Sequence, residues 1–286
     1  MCRLLGIVAS EVTEFGLVLT RAPRCLAKLS EEHPDGWGLA THDASTQTWA
    51  LHKGTERAHA DERFRELAAK SRGHVLVSHV RQKTVGPTRL ENTHPFESDG
   101  WIFCHNGTVK RTELLAARTS PARRARIEGE TDSELLFAYL LTRLDERGLV
   151  RLADERASRS PTGEDARDEA TDVLEGVLRE LRAEEIGAFN FLLSDGTTCF
   201  THRSGRSLFL LERGPDDPVR TARTIDSHTE LLTAWTPRRR AILVASERIT
   251  DEPWSEVPEG ALLRIDRVPS PHVAYASVSA APGKVA

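Results

Sequence analysis

The 286-residue chain has no apolar run of about 18 residues, the length that a helix needs to cross a bilayer. Its first residues also lack the basic segment and the apolar stretch that together form a secretory signal peptide. These two absences predict a chain without a membrane span or a secretory leader, and therefore a cytoplasmic protein.

Cysteine is scarce: the chain has four, at positions 2, 25, 104 and 199. No two of them form a Cys-x-x-Cys pair, so their spacing argues against a zinc knuckle or a dithiol redox site. Four cysteines are too few for a disulfide scaffold in a chain of this length, which fits a reducing compartment. His33, His74 and His79 lack metal-ligand spacing and are interpreted as structural residues.

A strong excess of charge of one sign is also absent, since the formal net charge is −4. Such a balance does not favour nucleic acid as a partner, and the short basic runs are interpreted as solvated faces. The chain lacks a Gly-x-Ser-x-Gly nucleophile elbow and a glycine-rich phosphate loop. These absences argue against a serine hydrolase built on that elbow and against a phosphate-binding loop enzyme.

The chain does have a core-forming composition, with 39% hydrophobic residues arranged in short strand-like and helical segments. A hairpin is predicted from Trp37–Thr41 and Thr48–His52, and helices are predicted at Asp61–Lys70, Asp132–Glu146 and Thr171–Arg182. The remainder of the second half is strand-rich. This order predicts an α+β fold in which two mainly antiparallel sheets pack together and helices cover them.

One domain is expected over residues 2–266. Residues 151–170 are charged and carry Ser-Pro and Thr-Gly breaks, which predicts an exposed insertion. Residues 267–286 contain Pro, Ser and Ala and are predicted to form a poorly ordered tail. The strand Trp101–Cys104 is predicted to end at His105-Asn106-Gly107, because Asn-Gly is common in hairpin turns.

Cys2 directly follows Met1. If Met1 is removed, the chain begins with a residue that carries both a thiol and a free α-amine. The α-amine has a reference pKa of about 7.7–8.0, so it can accept the proton of the thiol near neutral pH without a distant histidine. The alternative is that Cys2 begins a buried strand at Leu4–Ala9 and is a core residue, as free cysteines often are.

Polar clusters lie at the ends of several predicted strands, where loops can gather around Cys2. They are His79-Val80-Arg81 followed by Thr84, Asn92-Thr93-His94-Pro95, His105-Asn106-Gly107 and Glu130-Thr131-Asp132. Each cluster alone has a structural interpretation as a turn or a helix cap. Together they supply what attack on a carboxamide requires: a nucleophile, a proton acceptor and donors for the developing oxyanion.

The order and content of these motifs resemble class II glutamine amidotransferases, which are N-terminal-nucleophile hydrolases. The run at residues 33–38 and the later segments 244–247 and 253–254 resemble the stand-alone bacterial branch of that family. That branch includes the γ-glutamyl amidohydrolase of ergothioneine biosynthesis. The resemblance covers residues 2–266 and implies the four-layer αββα sandwich of these hydrolases.

The resemblance implies that Cys2 is the nucleophile and that Asn106 and Gly107 form the oxyanion hole. The residue types suit these roles, because Asn106 has a side-chain amide donor and Gly107 offers a backbone N–H. His94 takes a supporting position that orders its loop, with a role as general base as the alternative. No metal and no organic cofactor is implied.

The γ-glutamyl head group carries one carboxylate and one ammonium. Arg81 can hold the carboxylate through two hydrogen bonds, and Asp132 can take the ammonium. The resemblance assigns the same roles and adds Thr84 as a further contact. The family often has an aromatic residue after this arginine, and this chain has Gln82, which leaves the preference for the leaving group open.

The expected reaction is hydrolysis of a γ-glutamyl amide, either glutamine or a γ-glutamyl metabolite, through a thioester on Cys2. It would release glutamate and ammonia or an amine. One alternative is a glutaminase subunit that delivers ammonia to a separate synthase chain. Another is a catalytically silent binding or regulatory protein on the same scaffold. A small γ-glutamyl compound is the expected ligand, and neither nucleic acid nor a membrane is an expected partner.

Overall fold

The computed structural model describes residues 2–152, 161–214, 222–226, 229–232 and 239–278. The strands, in chain order, are β1 Arg3–Glu14, β2 Trp37–Asp43, β3 Thr48–Gly54, β4 Arg72–Val80, β5 Phe96–Ser98, β6 Trp101–Val109, β7 Gly187–Ser194, β8 Thr198–His202, β9 Phe209–Arg213, β10 Ala222–Asp226, β11 Thr229–Leu232, β12 Ala241–Ala245, β13 Ser255–Glu256, β14 Ala261–Asp266 and β15 His272–Val278. A π-helical turn spans Leu17–Arg21, and the α-helices are α1 Leu26–Leu29, α2 Glu62–Lys70, α3 Thr112–Arg118, α4 Pro121–Arg124, α5 Asp132–Asp145 and α6 Pro161–Ala183.

The strands form two large sheets, and β10 pairs separately with β11. The first sheet has the order β13-β9-β12-β1-β4-β2-β3, and the second has the order β15-β14-β8-β7-β6-β5. The described pairings within both sheets are antiparallel. The predicted hairpin is confirmed, since β2 pairs with β3 from Trp37 opposite Gly54 to Asp43 opposite Thr48.

Successive side chains of a strand point to opposite faces, and both faces of each sheet are covered here. The space between the sheets is filled by one apolar cluster, which includes Leu4, Val8, Val75, Val77, Ile102, Cys104, Leu192 and Val244. The outer face of the first sheet packs on α1 and α2, and the outer face of the second packs on α5 and α6. These layers confirm the α+β fold and the four-layer αββα order.

Trp37 and Trp254 are both buried in the outer cluster of the first sheet. The carboxylate of Asp61 caps α2 by accepting the backbone N–H groups of Arg63 and Phe64. It also accepts the indole N–H of Trp37 at 2.7 Å. One side chain thus ties the start of α2 to the start of β2.

The predicted turn at His105-Asn106-Gly107 is wrong, because β6 continues through these residues to Val109. The strand is prolonged by pairing with β7, in which Asn106 lies opposite Asn190 and Gly107 opposite Phe189. A Cβ atom at position 107 would lie 1.9 Å from the carbonyl oxygen of Ala188. Glycine is therefore required there by the close approach of the neighbouring strand and not by a turn.

The prediction that residues 151–170 form an exposed insertion is wrong for residues 161–170. Helix α6 begins at Pro161, ten residues before the predicted start at Thr171. Ala170 is buried in the core beneath α5, and Arg167 is buried beside Asp266 at 3.3 Å. Contacts with the core stabilise the first half of this helix although its sequence is polar. Residues 153–160 lie outside the described part of the chain.

The prediction that residues 267–286 form a poorly ordered tail is also wrong for residues 272–278. Residues His272–Val278 form β15, which pairs with β14 from Asp266 opposite His272 to Ala261 opposite Val278. An open edge of the second sheet supplies backbone partners that composition does not reveal. Residues 279–286 lie outside the described part. Within that part, no helix is long and apolar enough to cross a membrane.

Candidate active site

The thiol of Cys2 lies at the end of the sandwich where β1 begins. Its Sγ donates to the carbonyl oxygen of Gln82 and accepts the N–H of Gln82, each at 3.2 Å. Alternation along β1 directs Leu4 and Val8 between the sheets, and Cys2 continues the same phase. The thiol therefore faces the mouth of the space between the two sheets.

The start of β1 is fixed by residues at the end of β12. Leu4 donates its N–H to the hydroxyl of Ser246 at 3.1 Å, and Ser246 donates its own N–H to the carbonyl of Leu4 at 3.1 Å. Arg3 forms an ion pair with Glu247, which also pairs with Arg24. The motif at 244–247 carried no assigned role in the sequence, and the structure gives it one: it holds the strand that directly follows Cys2.

Burial raises the pKa of the Cys2 thiol, against the opposing effects of the hydrogen bond from Gln82 and the nearby charge of Arg81. A thiol with a raised pKa is protonated at neutral pH. Attack by this sulfur therefore needs a base that removes its proton.

The guanidinium of Arg81 lies beneath the loop that follows it. Its Nη1 donates to the carbonyl of Pro87 at 3.2 Å, and its Nη2 donates to the carbonyls of Val85 and Gly86 at 2.8 and 3.4 Å. A guanidinium has five N–H groups, so donors remain for a carboxylate. Thr84 is exposed in the same loop.

Asp35 fixes the backbone on either side of Arg81. Its N–H donates to the carbonyl of Arg81 at 3.0 Å, and its carboxylate accepts the N–H of Lys83 at 2.8 Å. The N–H of Arg81 in turn donates to the carbonyl of Gly36 at 2.8 Å. The run at 33–38 thus places Arg81 and Gln82 beside Cys2, a role that its sequence did not show.

Asp132 is buried at the first turn of α5. One carboxylate oxygen accepts the N–H of Val109, at the end of β6, at 2.6 Å. Thr131 caps the helix by accepting the N–H of Glu134 at 3.2 Å. These bonds fix the carboxylate of Asp132 beside β6 and leave its second oxygen available for a cationic group.

Asn92 connects the loop of Arg81 to the loop of Asp132. Its amide donates to the carbonyl of Pro87 at 3.0 Å, and its oxygen accepts the N–H of Glu130 at 2.7 Å. Both ends of the amide are used, so this side chain ties the two loops together. The sequence placed Asn92 in a motif but gave it no role.

Asn106 and Gly107 lie on β6, which contacts β1 and β4 across the sandwich. Alternation along β6 places Asn106 on the same face as Ile102 and Cys104, which point toward the first sheet. Asn106 is buried. The structure therefore places Cys2 and Arg81 at the ends of two strands of one sheet, and Asn106, Gly107 and Asp132 on or beside the other.

His94 lies in a row of buried imidazole rings. Its ring centroid is 4.3 Å from that of His79 and 6.5 Å from that of His105. Burial lowers the pKa of His79 to about 3 and lowers the pKa of His94 well below its usual value. The sequence treated His79 as an isolated structural residue and did not reveal this row. Within the described part of the chain, no cluster of His, Cys, Asp and Glu is arranged to hold a metal ion.

Comparisons with known proteins agree with this architecture. A predicted glutamine amidotransferase from Pseudomonas aeruginosa PA01, known from its crystal structure, superposes with a TM-score of 0.59 at 25% identity. The match covers 91% of this chain and 96% of that one, and this likeness defines an N-terminal-nucleophile amidotransferase fold. The model of the class II glutamine amidotransferases matches residues 1–276, so the chain belongs to that family.

Two relatives show how far the sequence similarity reaches. The uncharacterized protein MJ1515 of Methanocaldococcus jannaschii is 29% identical over 92% of this chain and 68% of its own length. The γ-glutamyl-hercynylcysteine sulfoxide hydrolase of Mycobacterium tuberculosis is 31% identical over 54% of this chain and 64% of its own length. The second of these relatives is therefore named for its action on a γ-glutamyl compound. Its sequence match covers about half of this chain.

Proposed function

We propose that the chain hydrolyses a γ-glutamyl amide through a thioester on Cys2. The observation that carries this is the position of the Cys2 thiol. The backbone N–H and the backbone carbonyl of Gln82, the residue directly after Arg81, both hydrogen-bond its sulfur at 3.2 Å. The cationic side chain of Arg81 beside the nucleophile, and the buried carboxylate of Asp132 at the start of α5 beside the opposite sheet, suit a substrate with both charges. The γ-glutamyl head group has both.

In the proposed first step, removal of Met1 frees the α-amine of Cys2, which takes the proton of the thiol. The raised pKa of the thiol explains why a base is needed. The sulfur attacks the carboxamide carbon, and the amide of Asn106 with the N–H of Gly107 stabilises the oxyanion. The C–N bond then breaks, and the ammonia or amine leaves with the proton that the α-amine held.

In the second step a water molecule attacks the thioester carbon. The α-amine takes a proton from the water, the C–S bond breaks, and the proton returns to the sulfur. The products are glutamate and the free thiol. Arg81 holds the α-carboxylate throughout with Thr84 beside it, Asp132 holds the α-ammonium, and His94 supports the loop between them.

A substrate panel tests this function. The protein without Met1 should hydrolyse glutamine or a γ-glutamyl dipeptide, and should use asparagine at least about 100-fold less well, because its carboxamide is one methylene closer to the charged end. Absence of turnover on every γ-glutamyl compound would contradict the proposal. Turnover that appears only after addition of a synthase chain would instead support an ammonia-delivering subunit.

The oxyanion role of Asn106 gives a kinetic prediction. Asn106→Ala should lower kcat by about 10²–10³-fold with little change in KM, because the lost donor acts on charge that develops in the transition state. Asn190→Ala is the matched control, since this buried amide lies opposite Asn106 on β7 and bonds to the carbonyls of Arg206 and Ser207. The control should lower the unfolding temperature and keep kcat. An unchanged kcat in folded Asn106→Ala would rule out the assignment.

A further inference from the structure

The three buried histidine rings span the gap between the two sheets. His79 belongs to β4 of the first sheet, His105 belongs to β6 of the second, and His94 lies between them on the loop before β5. Sheets packed face to face lie about 10 Å apart. Two ring-to-ring steps of 4.3 and 6.5 Å bridge a gap of that order.

The two ends of this histidine row lie close in sequence or contact to the two charged residues of the site. His79 precedes Arg81 by two residues, and Arg81 directly follows β4, so the alternation of the strand, continued by one residue, places both on the same face. At the other end, Nδ1 of His105 hydrogen-bonds the hydroxyl of Ser133 at 2.8 Å, and Ser133 directly follows Asp132. The row therefore begins two residues before Arg81 and ends at the residue that follows Asp132.

The imidazole rings of His79 and His94 are uncharged near neutral pH, because burial lowers the pKa of each. Both ring nitrogens of His94 are buried and have no hydrogen-bond partner within the described part of the chain. Burial is the main cause of the low pKa of His94, and the charges of His79, His105, Lys53 and Arg81 act in the same direction. A weakly basic ring without hydrogen bonds contributes through its shape and its packing.

His94 is held in place from two further sides. The ring of Phe96 lies 4.5 Å from it, and the ammonium of Lys53 lies 5.2 Å from the centroid of Phe96. The backbone of β2 lies close to the backbone of His94 as well, since a Cβ atom at Gly38 would lie 1.9 Å from the carbonyl oxygen of His94. The middle ring of the row thus has little freedom to move.

We propose that the histidine row is a rigid spacer that sets the separation of Arg81 from Asp132. It thereby makes the site selective for substrates that carry an ammonium and a carboxylate on one carbon. The inference rests on the proposed function, because it takes Arg81 and Asp132 as the residues that hold the head group. His94 is then a positioning residue, and its replacement loosens recognition without removing a reacting group.

The test compares L-glutamine with glutaramate, which has the same carboxamide and carboxylate but lacks the α-ammonium. The ratio of their kcat/KM values measures how well Asp132 is placed. In His94→Ala this ratio should fall about tenfold, through a higher KM for glutamine, because a small misplacement of a binding group is costly. His94→Phe restores a ring in the row and should recover most of the ratio.

His202→Ala is the matched control. His202 is buried on β8, its pKa is lowered to about 3 by burial, and it packs against Phe189 and Phe191 outside the row. This variant should lower the unfolding temperature and leave the substrate ratio unchanged. Phe96→Leu provides a second variant that disturbs the packing of His94 without removing it, and it should lower the ratio about threefold.

The outcomes separate the inference from the function on which it rests. A wild-type protein that hydrolyses neither compound would overturn the proposed function and the inference with it. An active wild type whose ratio stays unchanged in folded His94→Ala, or in Phe96→Leu if the first variant does not fold, overturns the inference alone. An equal loss of kcat on both substrates in His94→Ala and His94→Phe would assign His94 to proton transfer instead.

Discussion

Cys2→Ala is expected to lower turnover of γ-glutamyl amides by at least about 10⁴-fold, because the variant lacks the atom that forms the thioester. The thiol of Cys2 is only partly buried, whereas Cys25, Cys104 and Cys199 are buried. A glutamine-like diazoketone should therefore label one cysteine, and peptide mass spectrometry should place the label on Cys2. Cys199→Ala is the control and should retain activity and labelling.

The same proposal makes a prediction about the α-amine. A lysine inserted between Met1 and Cys2 should block removal of Met1, because trimming favours a small second residue. The thiol would then remain while the α-amine is lost as a base. Since burial raises the pKa of this thiol, the insertion variant should be nearly inactive. Full activity in protein that retains Met1 by intact mass would show that another group removes the proton.

The layers of the fold could be predicted because the apolar patterns are local. Strands such as β1 and β4 are apolar on both faces, and this matches their burial between a helical layer and the second sheet. The segment at His105-Asn106-Gly107 was assigned to a turn because Asn-Gly has a strong local preference for turns. In the folded chain the pairing with β7 outweighs that preference.

The extent of α6 and the existence of β15 could not be predicted for a similar reason. The first half of α6 is polar, and prolines at positions 269 and 271 directly precede β15, so composition alone argued against regular structure in both places. Arg167 on α6 lies beside Asp266 of β14, and β15 adds to the edge that β14 offers. The first of these contacts joins residues about 100 positions apart, which no local window contains, whereas the pairing of β15 with β14 is a hairpin between neighbouring segments.

The chemistry-bearing residues could be predicted, but the residues that place them could not. Cys2 and Arg81 stand in motifs whose residue types suggest chemistry. Asp35 and Ser246 act through backbone groups of Lys83 and Leu4, and such bonds leave no spacing pattern in a sequence. The histidine row is also invisible, because its three members come from two strands and a loop that meet only in the folded chain.

Asp132→Asn should raise KM for glutamine by about 100-fold or more and leave kcat/KM for glutaramate nearly unchanged. The asparagine amide can keep its oxygen toward the N–H of Val109, so the bond that places the side chain at 2.6 Å survives. What is lost is the negative charge that pairs with the α-ammonium, and a buried charge pair is costly to break. A glutamine KM equal to that of the wild type would contradict the role of Asp132.

Arg81→Lys should lower kcat/KM by about 100-fold on both glutamine and glutaramate, because both substrates carry the carboxylate that Arg81 holds. Lysine keeps the charge but lacks the planar group that can bond a carboxylate and the loop carbonyls of Val85 and Pro87 together. Arg123→Lys is the matched control, since this buried arginine pairs with Asp99 and Asp145. The control should lose stability and keep its kinetics. The contrast with Asp132→Asn, which separates the two substrates, assigns one charge of the head group to each residue. Wild-type kinetics in folded Arg81→Lys would show that the carboxylate is bound elsewhere.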